Sequence, residues 1–73
     1  MTKAGTIAAN ATDATEAAAA IKALLAIETP DLVSDSGPWQ TQADLLAGAV
    51  AVCWRNQGRA GNSAAAIRRA LGL

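Results

Sequence analysis

Between Ala14 and Glu28, apolar residues recur every three or four positions and form one stripe along a predicted helix. The stripe is narrow at its alanine end and bulky at its leucine end, and it consists of Ala14, Ala17, Ala18, Ile21, Leu24 and Leu25. Asp13 can cap the helix, and Glu16 at the third helical position completes a capping-box-like pair. The residue before Pro30 is forced out of the α region, so the helix is predicted to end at Glu28.

Residues 1–12 allow two interpretations. The stripe can be extended backwards through Ile7 and Ala11, which would make these residues part of a longer helix. Against this, the chain continues with polar residues that favour caps and turns, namely Thr12, Asp13 and Thr15. The sequence therefore predicts either an N-terminal arm or a helix extension over 1–12, followed by a helical domain over 13–73.

A loop is predicted over 30–38, because most of its residues are Asp, Ser, Gly or Pro, which are turn formers. Leu32 and Val33 interrupt this polar run. We expect both side chains to tuck beneath the loop as a hydrophobic clip.

Two further helices are predicted in the second half of the chain. One covers 38–57, with a proline in its first turn, a cap from Ser36 or Thr41, and a glycine terminator at position 58. The other is short and covers 63–71, with Ser63 as its cap and Gly72 as its terminator. Its spacing points Ile67 and Leu71 inward and Arg68 and Arg69 outward.

The centre of the second helix, from Leu45 to Trp54, is apolar on every side. A helix without a polar face is buried on more than one side, and two other helices are too few to cover it. Gly48 costs about 1 kcal/mol relative to alanine in a helix, which close packing would offset. The sequence therefore predicts a protein interface that involves Trp39, Leu46, Gly48, Val50 and Trp54.

The two tryptophans have different predicted roles. Trp54 belongs to the apolar centre and is expected in the core. Trp39 follows a proline at the start of the helix and is a candidate interface anchor, since tryptophan is enriched at binding hot spots. The alternative is that Trp39 packs on Leu32 and Val33 within the chain.

Composition favours an all-α fold that depends on other chains. Twenty of the 73 residues are alanine, which favours helices but adds little apolar area to a core. A chain of this length buries only about 60% of its unfolded surface, and one cysteine forms no intrachain disulfide. We therefore expect a small three-helix domain with a short irregular loop, stabilised by oligomerisation. A well-packed helical monomer is the alternative.

The sequence offers little chemistry for catalysis. It contains no histidine, and its six acidic residues are scattered over loops and helix starts. Cys53, the one cysteine, lies in the apolar centre and is expected to be an inert core residue. No phosphate-binding, dinucleotide-binding or metal-binding motif is present in the sequence. We expect a protein that is not an enzyme and that uses no cofactor or metal.

The net charge is zero, but the two halves of the chain differ. Residues 1–37 carry two lysines and five acids, for a charge of −3, and residues 38–73 carry four arginines and Asp44, for +3. Such halves can attract each other within a chain or between neighbouring chains. The longest apolar run has ten residues, fewer than the roughly 20 of a membrane span, and the N-terminus lacks a secretory signal pattern. We expect no membrane partner and a cytoplasmic location, or a place within a particle assembled there.

Residues 61–73, read as GNSAAAIRRALGL, resemble the first half of a helix-turn-helix of the resolvase and transposase type. The shared features are a capping serine, an inward isoleucine and a Leu-Gly-Leu end. The resemblance covers only this segment and stops before the recognition helix, without which nothing enters the major groove. In the other register the short helix itself would read DNA. Nucleic-acid contacts are then expected from Arg55, Arg59, Arg68 and Arg69.

Three functions follow from these observations. The favoured one is a non-enzymatic structural or assembly subunit that packs by its helices into a homo-oligomer or a larger particle, for example a virus or phage virion. The alternatives are a small helix-turn-helix-like DNA-binding regulator, and a small adaptor or inhibitor that binds one protein partner through Trp39 and the second helix.

Overall fold

A computed structural model describes residues 2–59 and 63–73 of the chain. Within these residues the chain forms four helices and no strand: α1 (Lys3–Asn10), α2 (Ala14–Glu28), α3 (Gly37–Asn56) and α4 (Ala64–Leu71). The all-α fold class is therefore confirmed. The number of helices differs from the prediction, because residues 3–10 form a helix of their own.

The first helix is separate because it is capped at both ends. Thr2 accepts a hydrogen bond on its hydroxyl from the amide of Gly5 at 3.0 Å and starts α1. Ala11 then adopts an extended conformation, with φ −90° and ψ 131°, and ends it. Ile7 and Ala8 are buried, so α1 contributes to the core.

Capping hydrogen bonds within residues 11–16 keep α1 and α2 from forming one continuous helix. Asp13 caps α2 and accepts from the amide of Glu16 at 2.8 Å, as predicted. The Glu16 carboxylate accepts in turn from the amide of Thr12, also at 2.8 Å. Lys3 at the start of α1 forms an ion pair of 2.6 Å with Glu28 at the end of α2. The start of α1 and the end of α2 therefore lie close together.

Helix α2 ends at Glu28, as predicted, and the loop to α3 covers 29–36 rather than the predicted 30–38. Leu32 is half-buried against the core, but Val33 is 63% exposed, so only half of the expected hydrophobic clip forms. Ser36 caps α3 by accepting from the amide of Trp39 at 3.2 Å. Thr41, the competing cap, lies inside the helix and donates its hydroxyl hydrogen to a backbone carbonyl one turn earlier.

The end of α3 and both ends of α4 follow the sequence prediction. Gly58 follows α3 in the left-handed region, with φ 77°. Ser63 caps α4, and Gly72 ends it with φ 85°. Ile67 and Leu71 are buried, as expected. The predicted turn between α3 and α4 lies partly outside the described residues.

Helix α3 is the centre of the fold, because α1, α2 and α4 all pack against it. The largest fully buried side chains come from α2, α3 and α4 and are Trp54, Ile21, Leu25, Ile67 and Val50. Buried alanines line the helix contacts, including Ala8, Ala17, Ala43 and Ala47. These small side chains let the helices approach closely, so much of the alanine content serves packing within the chain.

Candidate functional site: the outward side of the third helix

Three of the five predicted interface residues lie in the chain's own core. Trp39 is 4% exposed, and Val50 and Trp54 are fully buried. The indole nitrogen of Trp54 donates a hydrogen bond to the carbonyl of Ala8 at 3.0 Å. Helix α1 thus packs on the side of α3 that would otherwise lack a cover. The other two predicted residues, Leu46 and Gly48, are half-buried.

The opposite side of α3 presents an apolar surface to solvent. Leu45, Ala49 and Val52 follow one another at helical spacing, and we call these three residues the α3 stripe. Leu45 is 67% exposed and Val52 is 51% exposed. Within the described residues, no helix covers the stripe. Exposed Gln42 and Asn56 bound it at either end.

The α3 stripe has half-buried apolar neighbours on one flank, namely Leu46 and Cys53. Near its N-terminal end, Leu45 and Leu46 border a shallow groove that Lys3 and Glu28 line from α1 and α2. The exposed apolar surface is therefore wider than the three residues of the stripe.

Gly48 lies on the other flank, and no neighbour among residues 2–59 and 63–73 comes close enough to require glycine there. A Cβ atom added there would lie 3.6 Å from the terminal Nη2 of Arg68, which is an ordinary van der Waals contact. The close helix approach that the sequence predicts at Gly48 is therefore not made within the described part of the chain.

Two charged residues share this flank with Gly48. Asp44 and Arg55 lie one turn before and two turns after it, so the three residues fall on one ridge of the helix. Asp44 accepts a hydrogen bond from Arg68 of α4 in a half-exposed ion pair. Arg55 is exposed. The ridge thus carries a negative charge in its first half and a positive charge in its second.

The four candidate nucleic-acid arginines have different surroundings. Arg59 donates hydrogen bonds of 2.7 Å to the carbonyls of Ala8 and Ala11, and its guanidinium lies 5.2 Å from the ring centre of Trp54. These carbonyls belong to the end of α1, where helix carbonyls lack intrahelical partners and favour a cation. Arg68 is held by Asp44. Only Arg55 and Arg69 of the four are exposed.

The described residues contain no group of three potential metal ligands and no helix long and apolar enough to cross a membrane. Cys53 is half-buried rather than fully buried. A second depression, bordered by Gln40, Thr41 and Asp44 of α3, is shallow and open. The α3 stripe places exposed apolar side chains on the helix against which the other three pack.

The α3 stripe was not identified from the sequence, although a signal for it exists. Gln42 and Asn56 fall on the same helical face as Leu45, Ala49 and Val52, and polar residues at both ends indicate which side of an apolar helix meets solvent. The run from Leu45 to Trp54 contains no polar residue, so the run alone does not distinguish its two sides.

Comparison of the chain with models of protein families, with curated proteins and with solved structures finds no significant match.

Proposed function

We propose that the chain is a non-enzymatic assembly subunit that associates with other copies of itself through its helices. The observation that carries this proposal is the α3 stripe: the central helix exposes Leu45 and Val52 although its other side is closed by three helices. A homo-oligomer is the simplest product. A larger particle, such as a virion built in the cytoplasm, would use the same surface.

Single exposed apolar residues are normal on a protein surface and need no explanation. The α3 stripe differs because its members are contiguous on one helix and are flanked by half-buried Leu46 and Cys53. Large contiguous apolar patches on protein surfaces commonly mark interaction sites, and the stripe with its apolar flank extends over two turns of α3. The marginal stability of a 73-residue domain gives a second reason, because association adds burial that the chain alone lacks.

The two alternative functions have less support. An adaptor anchored by Trp39 would need that side chain at the surface, and it is buried. A DNA-binding regulator would need a free basic surface, and Arg59 and Arg68 are engaged within the chain. Neither function is favoured by a specific observation.

Sedimentation velocity of the purified chain over micromolar to millimolar concentrations tests the proposal. We expect the weight-average sedimentation coefficient to rise with concentration. Leu45→Gln should reduce this rise, because it places a polar group at a large, exposed apolar position of the α3 stripe. Ile27→Gln is the matched control, since Ile27 is 78% exposed and lies on α2, outside the stripe. A sedimentation coefficient of a monomer that does not change with concentration would contradict self-association.

A further inference from the structure

The residues on and beside the α3 stripe are self-complementary when two α3 helices run in opposite directions. Leu45 and Val52 are placed symmetrically about Gly48 and Ala49, so in an antiparallel pair Leu45 of each copy meets Val52 of the other. The small residues then fall at the crossing point. We propose that α3 packs antiparallel against α3 of a second copy about a two-fold axis near Gly48 and Ala49. This inference rests on the self-association proposed above.

The charges on the flanking ridge favour the same direction and nearly the same register. The midpoint between Asp44 and Arg55 falls between Ala49 and Val50, next to the midpoint of the stripe. A two-fold axis perpendicular to the helices brings the same flank of both copies together. Arg55 of each copy then lies beside Asp44 of the other, and opposite charges are paired twice.

A parallel pair lacks this complementarity. Its two-fold axis runs along the helices, so each charged ridge faces the opposite flank of the partner, which carries Leu46 and Cys53 instead. It also aligns two helix dipoles of the same sense side by side, whereas the antiparallel pair places each N-terminus near a C-terminus.

The existing ion pair between Asp44 and Arg68 does not prevent the contact. The bond from Arg68 uses only one carboxylate oxygen, Oδ1, and the Asp44 side chain remains half exposed. Arg55 is exposed and therefore free to approach that carboxylate. A carboxylate offers two oxygens, so it can accept from both guanidinium groups.

Gly48 supplies an independent reason for a second helix at this place. An added Cβ would meet only ordinary contact with Arg68, so packing among the described residues does not explain a residue that is unfavourable in a helix interior. Glycine at a crossing point lets two helix backbones approach closely, and the proposed axis passes beside this position. A single stripe is small against the roughly 800 Å² per partner of a stable interface, so we expect a concentration-dependent dimer.

Directed disulfide formation tests the arrangement. In the 73-residue chain with Cys53→Ser, Leu45→Cys and Val52→Cys variants of different mass are prepared separately, mixed, and oxidised mildly. We expect the mixed disulfide between position 45 of one copy and position 52 of the other. Each variant alone should cross-link poorly, because equal positions lie about 11 Å apart along an antiparallel pair and a disulfide spans Cα atoms less than about 7 Å apart.

Two further variants test the crossing point and the charges by sedimentation. Gly48→Ala should raise the dimer dissociation constant by about tenfold, because two methyl groups separate the backbones. Arg55→Glu should raise it by about fivefold at low salt, since it places like charges together twice. Arg69→Glu is the matched control for charge, because Arg69 is also exposed but lies on α4. It should leave the constant unchanged.

The outcomes separate this inference from the proposed function. A Leu45→Cys variant that cross-links to itself would indicate a parallel pair and would overturn the antiparallel arrangement. Concentration-dependent association with neither the 45–52 nor the 45–45 disulfide would place the contact on another face. It would overturn the antiparallel arrangement but not self-association. A strictly monomeric chain would overturn both.

Discussion

Both sides of α3 carry apolar residues, but one side is buried within the chain and the other is exposed to solvent. The inner side, which carries Ala43, Ala47, Val50 and Trp54, is covered by neighbouring helices and is fully buried. The outer side carries Leu45, Ala49 and Val52 and faces solvent. An apolar helix is therefore expected to be buried on several sides, but its sequence does not show which of these sides packs within the same chain. Which side the chain itself covers depends on the other helices.

The burial of the inner side of α3 depends in part on α1, which packs against it. This helix is short and carries Gly5 and Thr6, which are weak helix formers, and an isolated helix of this length is unstable in water. It is held by tertiary contacts that include Trp54 and Arg59, which bind its last carbonyls. The inner side of α3 and the C-terminal end of α1 thus stabilise each other, while the outer side has no such partner in the described residues.

The largest expected difference between the two sides concerns stability. Trp54→Ala should lower the free energy of unfolding by about 3–5 kcal/mol, because it removes a fully buried aromatic side chain. A small domain has only about 5–15 kcal/mol in total, so the variant should be close to unfolding. Val52→Ala, on the outer side, should cost less than about 1 kcal/mol. Urea unfolding followed by far-UV circular dichroism gives both values.

Trp54→Phe serves as the control for packing. It retains an aromatic ring but loses the indole N–H that binds the carbonyl of Ala8, so an intermediate loss is expected. If Trp54→Ala and Val52→Ala were equally destabilising in dilute solution, the two sides of α3 would not differ as described.

The next effect concerns the contact that holds α1 in place. Arg59→Ala should lower the free energy of unfolding by about 1.5–3 kcal/mol, because charge-assisted hydrogen bonds to the carbonyls of Ala8 and Ala11 are lost. Arg55→Ala removes the same side chain from an exposed position and should change stability by less than about 0.5 kcal/mol. Urea unfolding of both variants provides the comparison.

Hydrogen exchange shows where Arg59 acts. The amides of α1 should exchange faster in Arg59→Ala than in the parent chain, even under conditions where α2 and α4 remain protected. Equal protection of α1 in the two chains would mean that Arg59 does not secure this helix.

Features that depend on neighbouring residues were predictable from the sequence. Asp13, Ser36 and Ser63 cap their helices, and Gly58 and Gly72 follow them in the left-handed region. Each of these depends on hydrogen bonds or backbone conformation within a few residues, and residue type determines both. The bounds of α2, α3 and α4 therefore lie within a residue of the prediction.

Features that depend on distant residues were not predictable. The contact of Arg59 with Ala8 joins residues 51 positions apart, and no local pattern indicates it. Without that contact, the sequence does not indicate that residues 3–10 form a separate helix that packs over Trp54. The predicted interface residues consequently lie on both sides of α3, and only Gly48 and Leu46 of them lie beside the α3 stripe.

The smallest effect concerns Gly48, which lies at the border between the two sides. Gly48→Ala should raise the free energy of unfolding of the dilute monomer by up to about 1 kcal/mol, because alanine is a better helix former and its Cβ meets only ordinary contact with Arg68. Gly58→Ala is the matched control and should be destabilising, since Gly58 has a φ of 77° that alanine rarely adopts. Urea unfolding at low micromolar concentration gives both changes. A loss of stability in Gly48→Ala under these conditions would mean that packing within the chain requires glycine there, and the position would then no longer indicate a second helix on the outer side.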